Sequence, residues 1–453
     1  MSETAERLPE AIRAIQDLLE RDAVADLLKY VDGLHPSDLA DVLEHLEDED
    51  DRLRLLEILP APLASDALAE MEEEEHPEEL LAQMEPERIA ELVEELADDD
   101  AADLIGELEP EEQKRVLESV AHPEAEEIRE LLEYPEESAG GIMTLDLVAV
   151  SSADSAGEAI EQLRERAAER EDFYTIFVVD PDEHLRGVVT LRRLVLASPA
   201  TPILDLVEEP PAVVPVDMDQ EEVGRTLSRY NIPAIGVVDP DGRLVGRVTF
   251  DDIIDVVESE TTEDILRFAS VSDEERIRGS TVDAVRSRLP WLTINLVTLS
   301  AAALVVWLYR ETIEQAVILA VAMPVIAGLG GNAGTQALAV TIRRIATTDE
   351  TLAERWPVVG KELLVGVING LVIALIVAVF GVLLGDGDPR LGLVFLIAMW
   401  GNLIIASTGG AFFPILLESL GIDPAVASSI FVTTFTDLFG FLLLLALAKG
   451  FLF

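Results

Sequence analysis

Apolar residues recur at three- and four-residue spacing through the first 133 residues, as in Leu39, Val42, Leu43 and Leu46, or Leu53, Leu56 and Ile58. That spacing lines one face of an α-helix. Related segments open at His35-Pro-Ser-Asp-Leu-Ala40, Glu85-Pro-Glu-Arg-Ile-Ala90 and Glu109-Pro-Glu-Glu-Gln-Lys114. Each puts proline in a first helical turn, where the missing N–H costs nothing. Short amphipathic helices in close succession predict an all-α superhelical domain over residues 1–133.

From Tyr134 the pattern turns to alternating strands and helices, and one unit occurs twice. The first copy runs through Leu147–Ser151, a helix over Ser155–Glu169, a strand at Thr175–Asp180 and a strand at Leu185–Thr190. The second has Ala212–Val216, a helix over Asp219–Tyr230, Ala234–Asp239 and Leu244–Thr249. Val178-Val-Asp-Pro-Asp182 in one copy answers Val238-Asp-Pro-Asp-Gly242 in the other. This repeat resembles a tandem pair of CBS domains, α/β regulatory modules that bind adenine nucleotides or ions; we place them at 134–200 and 201–264. A connecting helix fills 265–289.

Beyond it, five apolar runs near Trp291–Tyr309, Gln315–Ile342, Leu363–Gly385, Leu391–Leu417 and Pro424–Ala448 predict an α-helical membrane domain over 290–453. Each is long enough for roughly 30 Å of hydrocarbon. The flanks expected inside hold Arg286, Arg288, Arg343, Arg344, Arg355 and Lys361, and the outer flanks only Arg310, Arg390 and Lys449. This is the positive-inside pattern of a multi-pass cell-membrane protein with its amino terminus cytosolic and its carboxyl terminus extracytoplasmic. The amino terminus has neither the basic flank nor the apolar core of a signal peptide.

Charge sharpens the division. The formal net charge is -56, and residues 1–285 carry 77 acidic against 23 basic residues. Such a field attracts cations and repels nucleic acid, which excludes a nucleic-acid partner. Lysine stands only at 29, 114, 361 and 449; acid-rich, lysine-poor surfaces are a halophile-like trait that high salt screens. Cysteine is absent and the five histidines have no ligand spacing, which removes thiolate chemistry and argues against zinc. No nucleophile–base pair or phosphate loop is present, so an enzyme is not expected.

The chemistry sits in two places. Asp437 lies mid-way along the last span, beside Thr433, Thr434 and Thr436. A carboxylate at that depth costs roughly 2.5–3.5 kcal/mol on insertion scales and marks an ion or proton path. In the second span, Pro324 to Gln336 is rich in glycine, and Asn332 and Gln336 lie one turn apart, placed to face the same cavity as Asp437. Asn369 and Asn402 add amides in spans three and four. On the soluble side Asp252 and Asp255 share a helix face, and Glu260 and Glu263 repeat the interval. Like charges so spaced repel unless cations sit among them. The Thr-x-x-Asp of nucleotide-binding CBS domains survives as Thr249 and Asp252, but the first copy has Arg193 in the acid's place. One ribose contact is lost, which counts against ATP.

The whole order resembles the MgtE family of magnesium channels and transporters. The residues that carry this are Tyr134-Pro-Glu-Glu-Ser-Ala-Gly-Gly-Ile-Met-Thr144, Asp251-Asp-Ile-Ile-Asp255 with Thr262-Glu-Asp264, Gly330-Gly-Asn-Ala-Gly-Thr-Gln336, Lys361-Glu-Leu363 with Gly366 and Asn369, and Asp423-Pro-Ala425 with Phe431–Asp437. The resemblance implies a homodimer with a hydrated Mg²⁺ at Asp437, Thr433 and Asn332 in the pore. It also implies a plug helix at about 273–288 and regulatory Mg²⁺ among Asp252, Asp255, Glu260, Glu263, Glu221, Asp98 and Asp99. Two departures stand out: Asn231 where family members have an acid, and Ser429-Ile430 where some have Asn-Pro. The alternatives are a permease for Co²⁺, Ni²⁺ or Mn²⁺, whose oxygen ligands are the same, and a non-conducting CBS-containing membrane sensor.

Overall fold

The computed structural model describes residues 4–46, 48–72, 75–166, 175–269, 271–272, 281–348, 350–385, 387–424 and 428–453. It divides into two units, Met1–Glu260 and Thr261–Phe453.

The first unit opens with ten short helices: α1 (Thr4–Glu20), α2 (Val24–Val31), α3 (Pro36–His45), α4 (Glu49–Ile58), α5 (Ala61–Ala69), α6 (Pro77–Ala82), α7 (Pro86–Val93), α8 (Asp98–Gly106), α9 (Pro110–Ser119) and α10 (His122–Leu131). Proline occupies the first turn of α3, α5, α6, α7, α9 and α10. Their apolar faces, including Leu39, Leu43, Leu56, Leu68, Leu81 and Leu92, close into one core. Arginines tie helices three apart in the chain by donating to the open carbonyls that end the earlier one. Arg88 reaches the Leu56 and Leu59 carbonyls at 2.8 and 2.6 Å, and Arg54 the Leu19 carbonyl at 3.0 Å.

Each repeat then builds a three-stranded sheet. In the first, β1 (Ala149–Ser151) is parallel to β2 (Thr175–Val179), which pairs antiparallel with β3 (Leu185–Thr190). In the second, β4 (Val213–Pro215), β5 (Ala234–Val238) and β6 (Leu244–Thr249) repeat that register. Helices α11 (Ala156–Arg166), α12 (Leu191–Leu196), α13 (Gln220–Tyr230) and α14 (Phe250–Phe268) pack with them; the expected end of the first helix, 167–169, lies outside the described residues. The segment from Ser138 to Thr144 joins the second repeat. Thr144 and Arg247 exchange backbone hydrogen bonds at 2.9 and 3.0 Å, and Gly140 N–H donates to Val216 at 2.9 Å. The core of the ten helices accordingly continues into Val214, Val223, Ile235 and Val248, while Val150, Ile176, Val178 and Val189 of the first repeat form a separate core.

Among the described residues of the second unit, five helices are long and apolar enough to cross a membrane. They are α15 (Thr281–Leu308), α17 (Ile318–Thr347), α18 (Leu352–Leu384), α19 (Pro389–Ser419) and α20 (Ser428–Phe451), with the short α16 (Arg310–Gln315) after α15. The observed helices outrun several expected spans: α18, with 33 residues, is about 50 Å long at 1.5 Å per residue. The boundary expected at 264 falls inside α14, and the one at 289 inside α15, which carries Pro290 within it. Of the expected plug helix, 273–280 lie outside the described residues, and Thr281–Arg288 form the first turns of α15.

α19 is the central helix. Its Leu403, Ile404 and Ser407 meet α18 at Gly366, where an ideal Cβ would stand 3.0 Å from the Leu403 carbonyl. On its other side Gly410 faces α17 so closely that a Cβ would stand 2.3 Å from the Gly334 carbonyl oxygen. Small residues let backbones approach to this range.

Candidate functional site

Asp437 is half-buried on α20, and its carboxylate makes no hydrogen bond or ion pair among the described residues. The hydroxyls around it are spent on structure. Thr433 donates to the Ser429 carbonyl at 2.8 Å, Thr436 to Thr433 at 2.9 Å, and Thr434 pairs with Thr298 of α15 at 2.9 Å. α17 touches α20 through Gly334, which packs on Val432 and Thr436. Asn332 and Gln336 lie two residues either side of Gly334, so a helical turn carries both to the far face, where they are exposed. Within one chain the structure does not bring them to Asp437.

Asn402 is fully buried on α19. Its Nδ2 donates to the Ile326 carbonyl of α17 at 2.9 Å, while Oδ1 is buried without a hydrogen-bond partner among the described residues. Gly330 of α17 and Gly440 of α20 press on the amide; a Cβ there would stand 2.3 and 2.9 Å from Nδ2. Two residues earlier, Trp400 Nε1 donates to the Val367 carbonyl of α18 at 3.0 Å. α19 therefore holds both neighbours through side-chain donors. A side-chain hydrogen bond between membrane helices averages about 0.6 kcal/mol, whereas an unpaired buried acceptor costs about 1–3 kcal/mol. The Asn402 amide is thus a net cost in this arrangement. Asn402 was visible as a polar residue in a span, but its contacts were not; Trp400 gave no signal beyond an indole N–H in need of an acceptor.

The first unit gathers acids. Asp99 of α8 is buried against Asp252 of α14. Burial pushes its carboxyl well above the usual range, and Asp252, Asp100, Asp98 and Asp103 push the same way. Burial also raises Asp252, against hydrogen bonds from the Thr249 hydroxyl and N–H at 2.7 and 2.9 Å and the positive Arg247. Asp255 is raised by burial, then by Asp252 and Glu70. A second group joins Glu260 to Glu221, Asp219 and Glu137; burial raises Glu260, while Gln220, donating at 2.8 Å, opposes the rise. Groups that share charge of one sign and lose water this way hold either protons or cations. Their carboxylate oxygens suit a hard divalent ion.

The remaining expected ligands are engaged otherwise. Asp98 accepts from the Thr144 hydroxyl and, at 2.8 Å, from the Leu145 N–H, which anchors the segment entering the repeats. Glu221 pairs with Arg225 at 2.5 Å. Glu263 pairs with Arg267, which also reaches Asp423 at 2.7 Å. In the nucleotide motif, Thr249 and Asp252 close on each other, and in the first repeat Arg193 pairs with Glu208. Asn231 ends α13 in the left-handed region at φ 50°, a conformation asparagine tolerates better than an acid of longer side chain.

Comparison with known proteins gives this arrangement a lineage. The model of the MgtE divalent cation transporter matches residues 323–447, the MgtE intracellular N domain matches 34–137, and the CBS domain matches 139–200 and 203–259. A magnesium transporter MgtE of Thermus thermophilus is 34% identical over 96% of this chain and 97% of its own length. One of Enterococcus faecalis is 38% identical over 72% of this chain and 71% of its own. The crystal structure of the cytosolic domain of the Mg²⁺ channel MgtE in complex with ATP covers 54% of this chain and 99% of that one, at 33% identity and a TM-score of 0.51. Three domain types in order, and relatives of this identity along nearly the whole length, leave one conclusion: the chain belongs to the MgtE family of divalent cation transporters.

Proposed function

We propose that this protein carries Mg²⁺ across the cell membrane and that cytosolic Mg²⁺, bound among the acids of the soluble unit, closes the path. The observation that carries the transport half is Asp437, a mid-span carboxylate without a protein counter-charge among the described residues. Such a group calls for a proton or a cation from the aqueous path. Mg²⁺ sheds water reluctantly and is held through its shell by one or two carboxylates, and magnesium is the ion named for the relatives above.

The gating half rests on Asp99 facing Asp252. At low internal Mg²⁺ these carboxylates repel across the boundary between α8 and α14. A bridging divalent ion reverses the sign and holds the two elements together, with Asp255 and Glu260 as further acids deprived of water nearby. Moving such an equilibrium from 1:99 to 99:1 takes about 5.5 kcal/mol of differential binding, an amount several weak sites supply jointly. Nucleotide binding has less support, because Thr249 and Asp252 bond to each other and Arg193 is committed to Glu208. The amino terminus lies in the cytosol in this reading, and the working form is a homodimer. Ile254 on α14 and Val195 on α12 expose apolar side chains at matching places in the two repeats, with exposed Phe250 and Leu196 beside them, a surface that a second copy covers.

The test is Mg²⁺ flux into proteoliposomes of wild type and Asp437→Ala, with internal Mg²⁺ varied and Co²⁺, Ni²⁺ and Mn²⁺ as competing ions. Flux that falls as internal Mg²⁺ rises, and that Asp437→Ala abolishes, is expected. Equal flux in both proteins refutes the role of Asp437. Wild-type flux indifferent to internal Mg²⁺ refutes the gating, and no wild-type flux from verified vesicles favours a sensor.

A further inference from the structure

We propose that Asn402 is a positioning residue of the ion pathway, kept for the conducting arrangement of α17 and α20 rather than for the stability of the one seen. This rests on the reading above in which α20, through Asp437, borders the path. Asn402 touches both helices: its Nδ2 holds Ile326 of α17, and its amide lies against Gly440, three residues and less than one turn beyond Asp437. The side chain is fully buried in an apolar bundle, where a leucine has the same branched outline and number of side-chain heavy atoms but no polar atom to satisfy.

Fold stability therefore does not account for the amide, since its one interhelical bond is worth less than its orphaned Oδ1 costs. Oδ1 is an acceptor held in reserve between Gly330 and Gly440. It gains a donor only when α17 and α20 part enough to admit water, so the amide lowers the free energy of the parted, hydrated arrangement relative to the packed one. The donor class is water, including water carried by a hydrated divalent cation. The neighbouring glycines fit this role, because a methyl group at Gly330 or Gly440 overlaps the amide and removes the space.

The experiment compares full-length wild type and Asn402→Leu in two measurements: the thermal midpoint of the detergent-solubilised protein, followed by size-exclusion elution, and the initial Mg²⁺ flux in proteoliposomes. The proposal expects an equal or higher midpoint for Asn402→Leu together with a flux about ten-fold lower. Asn402→Asp, which retains the oxygen, is expected to recover part of that flux. Flux within two-fold of wild type overturns the proposal. A loss of flux that comes with a lower midpoint or aggregated elution also overturns it, in favour of simple packing. Failure of the underlying reading is separable, because it shows as absent flux in wild type or as full flux in Asp437→Ala.

Discussion

Gly410→Ala tests the packing on which the membrane unit depends. A Cβ at Gly410 would stand 2.3 Å from the Gly334 carbonyl oxygen and 2.9 Å from the Ala337 Cβ, where ordinary contact begins at 3.4 Å. The shortfall against the carbonyl is about 1.1 Å, and the obstacle is backbone, which cannot swing aside as a side chain does. α17 and α19 must separate by about that distance locally. A gap of 0.5–1 Å already forfeits a quarter to a half of each dispersion contact it opens, and overpacking of this kind costs about 1–3 kcal/mol. The assay is the thermal midpoint of monodisperse protein in detergent, read against Gly360→Ala, whose new methyl meets nothing within 4 Å. Gly410→Ala is expected to lower the midpoint and the flux, because Gly334 also seats Val432 of α20. Gly360→Ala is expected to match wild type or exceed it by up to about 1 kcal/mol from helix propensity. A Gly410→Ala protein equal to wild type in both measurements would mean that α17 and α19 do not cross here, and the geometry drawn from that crossing falls with it.

Asp99→Asn removes one of two facing charges without changing shape; it is expected to tighten the divalent-free soluble unit and to raise the internal Mg²⁺ needed to halve flux about ten-fold, or ~1.4 kcal/mol, and an unshifted dose response refutes the site. The raised carboxyls of Asp99, Asp252, Asp255 and Glu260 give a pH dependence of known sign. An acid raised on folding adds stability below its unfolded value of about 4 that is lost as pH rises through its folded one. Hydrogen exchange in peptides spanning 98–106 and 249–260 should therefore be slower at about pH 5 than at about pH 8, after correction for intrinsic rates, and Mg²⁺ should narrow the difference by taking the proton's place. Arg88→Met, which strips two donors from the end of α4, should destabilise the soluble unit by about 2–3 kcal/mol in urea. Ile254→Glu should shift the mass in light scattering toward a monomer.

Much of the fold was legible because it is written locally. Pro36, Pro86 and Pro110 announce helix starts wherever they fall, and the two Asp-Pro-Asp turns mark the hairpins of β2–β3 and β5–β6. Asp437 stands out because charge in a span is expensive wherever it points. The unreadable parts depend on what lies across space. Residues 138–144 look like the start of the first repeat, but their hydrogen bonds run to Val216, Met218 and Arg247 of the second, and pairing at that distance leaves no periodic trace. The spacing of Asn332 and Gln336 places them on one face of α17; which way that face turns is decided by Gly334 seating Val432. Asp98 and Asp99 are neighbours of one kind in sequence, yet one anchors Thr144 and Leu145 and the other meets Asp252.

The position of α19 also sets an order on biosynthesis. α17 and α18 leave the ribosome before it, and each has glycine-lined surfaces finished by a helix not yet made. Gly366 and Gly370 of α18 and the carbonyls of Ile326 and Val367 wait for Trp400, Asn402 and Leu403. A nascent chain halted after Leu384 therefore presents α17 and α18 to lipid with these faces unfilled. The same chain extended through Ser419 already holds α17, α18 and α19 packed together, ready to receive α20 and its carboxylate.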